Sequence, residues 1–334
     1  MKKFIDEPEL YVDECIDGIL CAHGNRLKPL GKDRRIIVAA RKKAAKVAIV
    51  TGGGSGHLPV FLGYVGRGML DGCAVGNVFA SPPSSRILEM IKHCDSGAGV
   101  LCLYGNYGGD NLNFDAACEM ADTYEIKTRT VRVNDDVASA SKTEKSKRRG
   151  VAGMVYAFKI AGAAAMTGED LSEVTRIAQE TVDDTRTMGI ALSSCIVPEV
   201  GKPTFQLQDD QMGIGMGIHG EPGISVEKMM TAKDAASVVM NQLLCDITLK
   251  PGDEVSLMVN GLGSTPLEEL YIIFKHACRI LKEQNIKIFM PHIGEFATSM
   301  EMAGMSITVL KLNDERKRYL RIPANTPFYT NGNK

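Results

Sequence analysis

Short runs rich in β-branched residues alternate with helix-length amphipathic segments along most of this chain. KVAIVT (46–51), AGVLCLY (98–104) and IKTRTVRV (126–133) read as strands, each followed by turn residues or a helix-like stretch. Such alternation predicts a mainly parallel α/β sheet with helices on both faces, whose sites lie at the carboxyl ends of its strands. Two long helices follow: RRGVAGMVYAFKIAGAAAM from about Arg148, and one capped by Asp170 in EDLSEVTRIAQETVDDTRTM. A first domain is therefore expected over 1–188. The second half, 189–334, repeats the alternation as a smaller α/β domain with a mixed sheet. IALSSCIV (190–197), DEVSLMVN (253–260), IKIFMP and MSITVLKL read as its strands. The helix after NGLGSTPLEEL has a start signal, with Thr265 as N-cap, Pro266 at the first position and Glu268 completing a capping box. With no long Pro/Gly/Ser linker, the two domains are expected to pack directly.

At 334 residues the chain is long enough for two cores. Its 44% hydrophobic and 24% charged residues are globular proportions. A net charge of −1 gives no general attraction to nucleic acid or to anionic membrane, so neither is an expected partner. Nine cysteines form an odd set with no CxxC pair, mostly in apolar segments, which reads as reduced core residues rather than a disulfide framework or a metal site. No apolar run reaches the roughly 18 residues of a membrane span, and MKKFIDEPEL turns acidic within a few residues. A cytoplasmic location follows as an expectation.

The stretch IVTGGGSGHLPVF (49–61) carries the first chemistry. A Walker A loop needs Lys and Ser/Thr where His57 and Leu58 stand; a GxGxxG loop read from Gly52 ends on His57, and so does a GxSxG elbow read from Gly53. All three phosphate or nucleophile fingerprints fail at one residue. What is left is a strand, a glycine-rich loop whose backbone N–H groups can approach a small polar ligand, and an imidazole at the base of the next helix. A tight strand-to-helix turn with an incidental histidine is the plainer alternative. LYGNYGGDNLNFD (103–115) again follows a strand and places Asp110 in a glycine-flanked turn, where it is either a helix-start acid or a functional carboxylate. In MGIGMGIHGEPGI (212–224) glycine recurs at alternate positions from Gly213 to Gly217, as in a strand with one bare face, and His219 stands where that strand runs out.

TGGGSGH, NYGGD and GIHGEPGI, in this order and at these intervals, closely resemble the substrate-binding subunit of dihydroxyacetone (glycerone) kinases. GYVGRGMLDG, FASPPSSRI, CIVPEVGKPTF and NGLGSTPLEELY extend the resemblance over roughly 17–312. It implies that His219 adds to the ketone carbon of a short-chain ketose and holds it as a hemiaminal, which selects carbonyl compounds over polyols. It implies that His57 exchanges a proton with the carbonyl oxygen, that Asp110 accepts the proton of the terminal hydroxyl that attacks phosphate, and that Gly54, Ser55 and Gly56 line the substrate. Glu221, two residues on, is placed to orient the other nitrogen of His219. The resemblance further implies a homodimer, and a nucleotide held with magnesium on a separate helical domain or subunit rather than by this chain. Single-chain relatives continue well beyond a second domain, so a nucleotide-carrying partner subunit is expected, charged with ATP or with an ADP recharged by a phosphoenolpyruvate-dependent component. No metal is assigned to this chain.

Two positions depart from the commoner pattern. Leu58 replaces an acid in GGGSGHEP, and Gly105 replaces the lysine of KNYTGD. The variant resembles the branch associated with four-carbon ketoses such as erythrulose. A non-catalytic ketose sensor acting on a transcription regulator is the alternative function. A nicotinamide-dependent dehydrogenase is disfavoured because the third glycine and its acidic follower are missing. KTEKSKRRG (142–150) reads as a solvated helix start that also suits an anionic partner, and the 17 methionines as core filler.

Overall fold

The computed structural model describes residues 2–40 and 45–332. Along the chain run α1 (Tyr11–His23), β1 (Leu27–Leu30), β2 (Asp33–Ala39), β3 (Ala48–Ser55), β4 (Gly72–Val78), α2 (Ser84–Cys94), β5 (Val100–Gly105), α3 (Gly108–Asp122) and β6 (Thr128–Val133). There follow α4 (Met154–Met166), α5 (Leu171–Asp183), β7 (Thr185–Ala191), β8 (Gln211–Ile214), β9 (Ser225–Lys228), α6 (Ala232–Asp246), β10 (Glu254–Gly261) and α7 (Leu267–Glu283). The described chain closes with β11 (Lys287–Gly294), β12 (Gly304–Leu312), α8 (Asp314–Arg321) and the short hairpin of β13 (Ala324–Asn325) and β14 (Thr330–Asn331).

These elements sort into two compact units. One takes the chain up to Val133, then Tyr156–Thr181, then the chain from Arg316 onward; the other takes Asn134–Val155 and Val182–Glu315. The division therefore differs from a single cut after Met188, and burial is the reason. Helix α4 is apolar almost all round, Gly162 lies against the backbone of Met69, and the buried Lys159 Nζ donates to Tyr319 O at 2.6 Å. A helix without a solvated face must sit inside a core, and this one belongs to the first unit.

In the first unit the strand order is β1-β2-β4-β3-β5-β6. Strands β4, β3, β5 and β6 are parallel, and β2 and β1 join antiparallel at one edge. Every residue of β5 is buried, which requires cover on both faces. Ile87 and Ile91 of α2 and Phe114 and Ala117 of α3 pack with Val50, Val100 and Cys102 on one of them.

In the second unit the order is β11-β10-β12-β7-β8-β9, and only β10 and β11 run parallel. Val239 and Leu243 of α6 and Leu270, Ile273 and Leu281 of α7 form its core with Ile190, Leu257, Val259 and Ile307. Three local expectations are corrected here. Strand β7 starts at Thr185 and stops at Ala191, because the N–H of Leu192 turns to Ala303 O at 2.7 Å. The glycine-alternating stretch is extended only to Ile214, since Gly215 takes φ +76° and turns the chain. Thr265 does not cap α7. Its hydroxyl donates to Gly304 O at 2.6 Å and accepts from Gly304 N–H at 2.8 Å, so it ties two loops together while Pro266 takes the cap position.

KTEKSKRRG is a 3-10 turn over Lys142–Lys147 that leads into a buried arginine, so the solvated reading holds for only part of it. Arg148, 2% exposed, makes a two-bond fork to the Asp246 carboxylate at 2.9 and 2.7 Å, and Arg186 Nε pairs with the same group. Burial alone would raise the Asp246 pKa, but the hydrogen bonds from Arg148 and Arg186 outweigh it and hold the carboxyl at about 2, below its ordinary 3.8. A group depressed in the folded state stabilises above its unfolded value and stops doing so as pH falls through the folded one. The unfolding free-energy difference between the wild type and Asp246→Asn should therefore be present above about pH 4 and shrink by about 2 kcal/mol on going to about pH 2, measured by urea unfolding.

Candidate functional site

In the first unit the glycine run is the carboxyl end of β3 rather than a loop. Gly52 and Gly53 pair with Ala74 and Val75 of β4, and the register slips between Gly53 and Ser55. A Cβ on Gly54 would stand 2.6 Å from Ala80 N and 2.8 Å from the backbone of Phe79, so the position is occupied by the chain that follows β4. Ser55 donates its hydroxyl to Gly76 O at 2.9 Å and accepts on its carbonyl from Phe79 N–H at 3.1 Å. Gly56 then turns at φ +102°, and His57, 1% exposed, comes to lie under the Phe79 ring. The two rings stack at 5.0 Å and 21°, and Phe61 meets the imidazole edge-on at 6.4 Å. Phe79 takes φ +57°, a conformation costly for a bulky side chain, and the strand-end contacts hold it there.

Asp110 lies in the first turn of α3, which leaves β5, the parallel neighbour of β3. The helix start favours a negative group, and the residue is buried at 7% exposure. Asn111 Nδ2 donates to Asn106 Oδ1 at 2.9 Å and fixes the turn. Asn113 Nδ2 donates to Ser81 Oγ at 3.1 Å, so the segment that stacks on His57 also holds the start of α3. His57 and Asp110 thus stand along one sheet edge, the carboxyl ends of β3 and β5, with the 79–81 turn fastened to both.

His219 belongs to the second unit. Its ring Nδ1 lies 2.8 Å from Glu221 Oε1, and its backbone N–H donates to Glu221 Oε2 at 3.0 Å, so one carboxylate holds both ends of the residue. The Glu221 carboxylate thus stands against the ring nitrogen of His219 that the sequence pairs it with. Arg149 Nη1 approaches Glu221 Oε2 at 3.7 Å. Burial would raise the Glu221 pKa; the hydrogen bond with His219 and the charge of Arg149 overcome it and hold the carboxyl at about 2. An anionic partner on Nδ1 keeps the ring proton there and leaves the in-plane lone pair on Nε2. Sequence reasoning missed Phe79, whose role depends on a backbone angle, and Arg149, which sits in a charge run that looks solvated. Among the described residues no cluster of three or more His, Cys, Asp or Glu could hold a metal ion, and no helix is long and apolar enough to cross a membrane.

Residues 17–328 match the model of the Dak1 domain. The dihydroxyacetone-binding subunit DhaK of PTS-dependent dihydroxyacetone kinase 1 from Listeria innocua is 41% identical over 327 residues, 98% of this chain and 99% of that protein. The D-erythrulose kinase of Mycolicibacterium smegmatis is 40% identical over 99% of this chain and 57% of its own length. Among solved structures, the dihydroxyacetone kinase operon co-activator Dha-DhaQ superposes with a TM-score of 0.89 at 33% identity, covering 94% of this chain and 97% of the other. The dihydroxyacetone kinase of C. freundii in complex with AMP-PNP and Mg2+ gives 0.90 at 31% identity, over 98% of this chain and 61% of that one.

The packing at Gly54 can be tested without ligand. Gly54→Ala should cost about 1–3 kcal/mol in urea unfolding, because the added methyl meets backbone that has no flexible end to move away.

Proposed function

Since the chain belongs to the Dak1 domain family, we propose that it is the ketose-holding subunit of a dihydroxyacetone-type kinase. The observation that carries the reading is the contact between His219 Nδ1 and Glu221 Oε1. With its proton kept on Nδ1, the ring presents a nucleophilic Nε2 to the ketone carbon of a short-chain ketose. As the carbon–nitrogen bond forms, the carbonyl π pair moves onto oxygen, which takes up a proton, and the positive charge building on the ring is offset by the anionic Glu221. Covalent attachment fixes the orientation of a small substrate that can make few other contacts. His57 is the proposed proton partner of the carbonyl oxygen, Asp110 the base for the terminal hydroxyl, and the backbone of Gly54, Ser55 and Gly56 part of the substrate lining.

The phosphoryl donor in this proposal is a nucleotide with magnesium on a partner subunit, supported by two likenesses. The Listeria relative is named as one subunit of a PTS-dependent kinase, and the C. freundii enzyme solved with AMP-PNP and Mg2+ extends well beyond the part this chain covers. ATP and a phosphoenolpyruvate-recharged ADP are both compatible with that arrangement. A homodimer is part of the same proposal, decided by sedimentation equilibrium. The substrate is a three- or four-carbon ketose. Curated dihydroxyacetone and erythrulose kinases are similarly close to this chain, and Leu58 and Gly105 favour the four-carbon compound. The likeness to the Dha-DhaQ co-activator supports a second reading, a ketose sensor without turnover.

With ketose labelled by 13C at the keto carbon, wild type should show a tetrahedral-carbon resonance that His219→Ala lacks; an identical spectrum from the variant would overturn the covalent reading. Asp110→Asn should keep that resonance and lose about 10²–10⁴-fold in kcat with a cognate nucleotide subunit. Absence of any phosphorylated ketose from wild type with that subunit would favour the sensor. Erythrulose should equal or exceed dihydroxyacetone in kcat/KM, and a strong dihydroxyacetone preference would reject the four-carbon assignment.

A further inference from the structure

Glu221 does not stand alone behind His219. Arg149 is 13% exposed at its side chain, and its guanidinium spans three partners within the second unit. Nε and Nη2 both meet Asp136 Oδ2, at 3.0 and 2.9 Å, Nη2 donates to Gly215 O at 3.4 Å, and Nη1 faces Glu221 Oε2. Asp136, 4% exposed at its side chain, also accepts from Ala138 N–H at 3.0 Å. The backbones are tied as well. Asp136 N–H donates to Arg149 O at 3.1 Å, and Arg149 N–H donates to Ser139 Oγ at 3.0 Å, whose own hydroxyl donates to Asp136 O at 2.8 Å. The buried Asp135 carboxylate accepts from Val151 N–H at 2.8 Å and Gly153 N–H at 2.7 Å, which pins the chain just after Arg149.

Gly217 shows where these groups converge. A Cβ there would overlap Glu221 Oε2 and stand 2.6 Å from Arg149 Nη1. The position is glycine because a carboxylate and a guanidinium share the space a methyl would fill.

We propose that Arg149, anchored by Asp136, is a positioning residue that holds Glu221 against His219 Nδ1 and so selects the Nδ1-protonated tautomer. The guanidinium has planar geometry and a permanent charge, so it can brace one carboxylate while bound to another; a lysine could supply the charge but not the fork. This inference rests on the functional reading above for its consequence in ketose binding, but the tautomer itself is a property of the ligand-free protein.

Two substitutions test it from opposite sides. Arg149→Gln removes the brace, and Gly217→Ala leaves every charge in place while its methyl displaces the Glu221 carboxylate, a flexible side-chain end. The His219 ring nitrogens are followed by 15N NMR of ligand-free protein, assigned by difference from His219→Ala, and the labelled-ketose adduct is measured in parallel. Wild type should be mainly Nδ1-protonated. Both variants should move toward the Nε2-protonated form and bind ketose at least about tenfold more weakly, the scale expected when a positioning group is lost. Arg149→Lys should recover part of the tautomer balance, which a purely structural role would not predict. An unchanged tautomer ratio in both folded variants overturns the proposal. Should Arg149→Gln unfold, Gly217→Ala decides alone. If wild type makes no ketose adduct yet the tautomer shifts as described, the functional reading fails and the positioning role stands.

Discussion

The hydrogen bond between His219 Nδ1 and Glu221 Oε1 is the contact around which the histidine loop of the second unit is arranged. A neutral imidazole has one proton and two nitrogens, and an acidic neighbour decides which nitrogen keeps a lone pair for bonding. The turn at Gly215, the bare α-carbon of Gly217 and the paired loops at 134–139 and 149–153 all serve to place that carboxylate. Glu221 stays ionised because burial, which opposes its charge, is outweighed by the hydrogen bond with His219 and the charge of Arg149.

Glycine has two uses in this molecule that look identical in one dimension. At Gly54 the missing side chain makes way for the backbone of Phe79 and Ala80, and the result is an aromatic ring laid on His57. At Gly217 it makes way for two side chains of opposite charge. The glycines shape the walls around the imidazoles and carboxylates.

A net charge of −1 conceals how much ionised surface the second unit takes out of water. Asp135 and Asp136 are both nearly sealed, and burial pushes Asp136 up to about 6 despite the opposing Arg149. Arg148 and Arg186 share Asp246, and the adjacent arginine serves Asp136 and Glu221. Buried pairs of this kind add little net stability compared with apolar packing but penalise any arrangement that separates them. Here they specify how the RRG segment, the end of α6 and the histidine loop meet.

Much could be read from residues in order. The strand cores of β3, β5, β10 and β12 and the Asp170 cap that accepts Glu173 N–H at 2.9 Å follow from local period and composition, while the motifs around His57, Asp110 and His219 were legible through their resemblance to a known family. Glu221 was within reach because it lies two positions from its partner. Other features needed the folded chain. Thr265 abandons its helix for Gly304, 39 residues away, and Arg148 reaches Asp246 across 98, while α4 returns to the first unit. Phe79 is placed by a left-handed backbone angle, and Arg149 by a buried acid 13 residues upstream. Propensity and periodicity act over a few residues, whereas these positions are set by which distant groups would otherwise be left buried without a partner, and that is a property of the packed molecule alone.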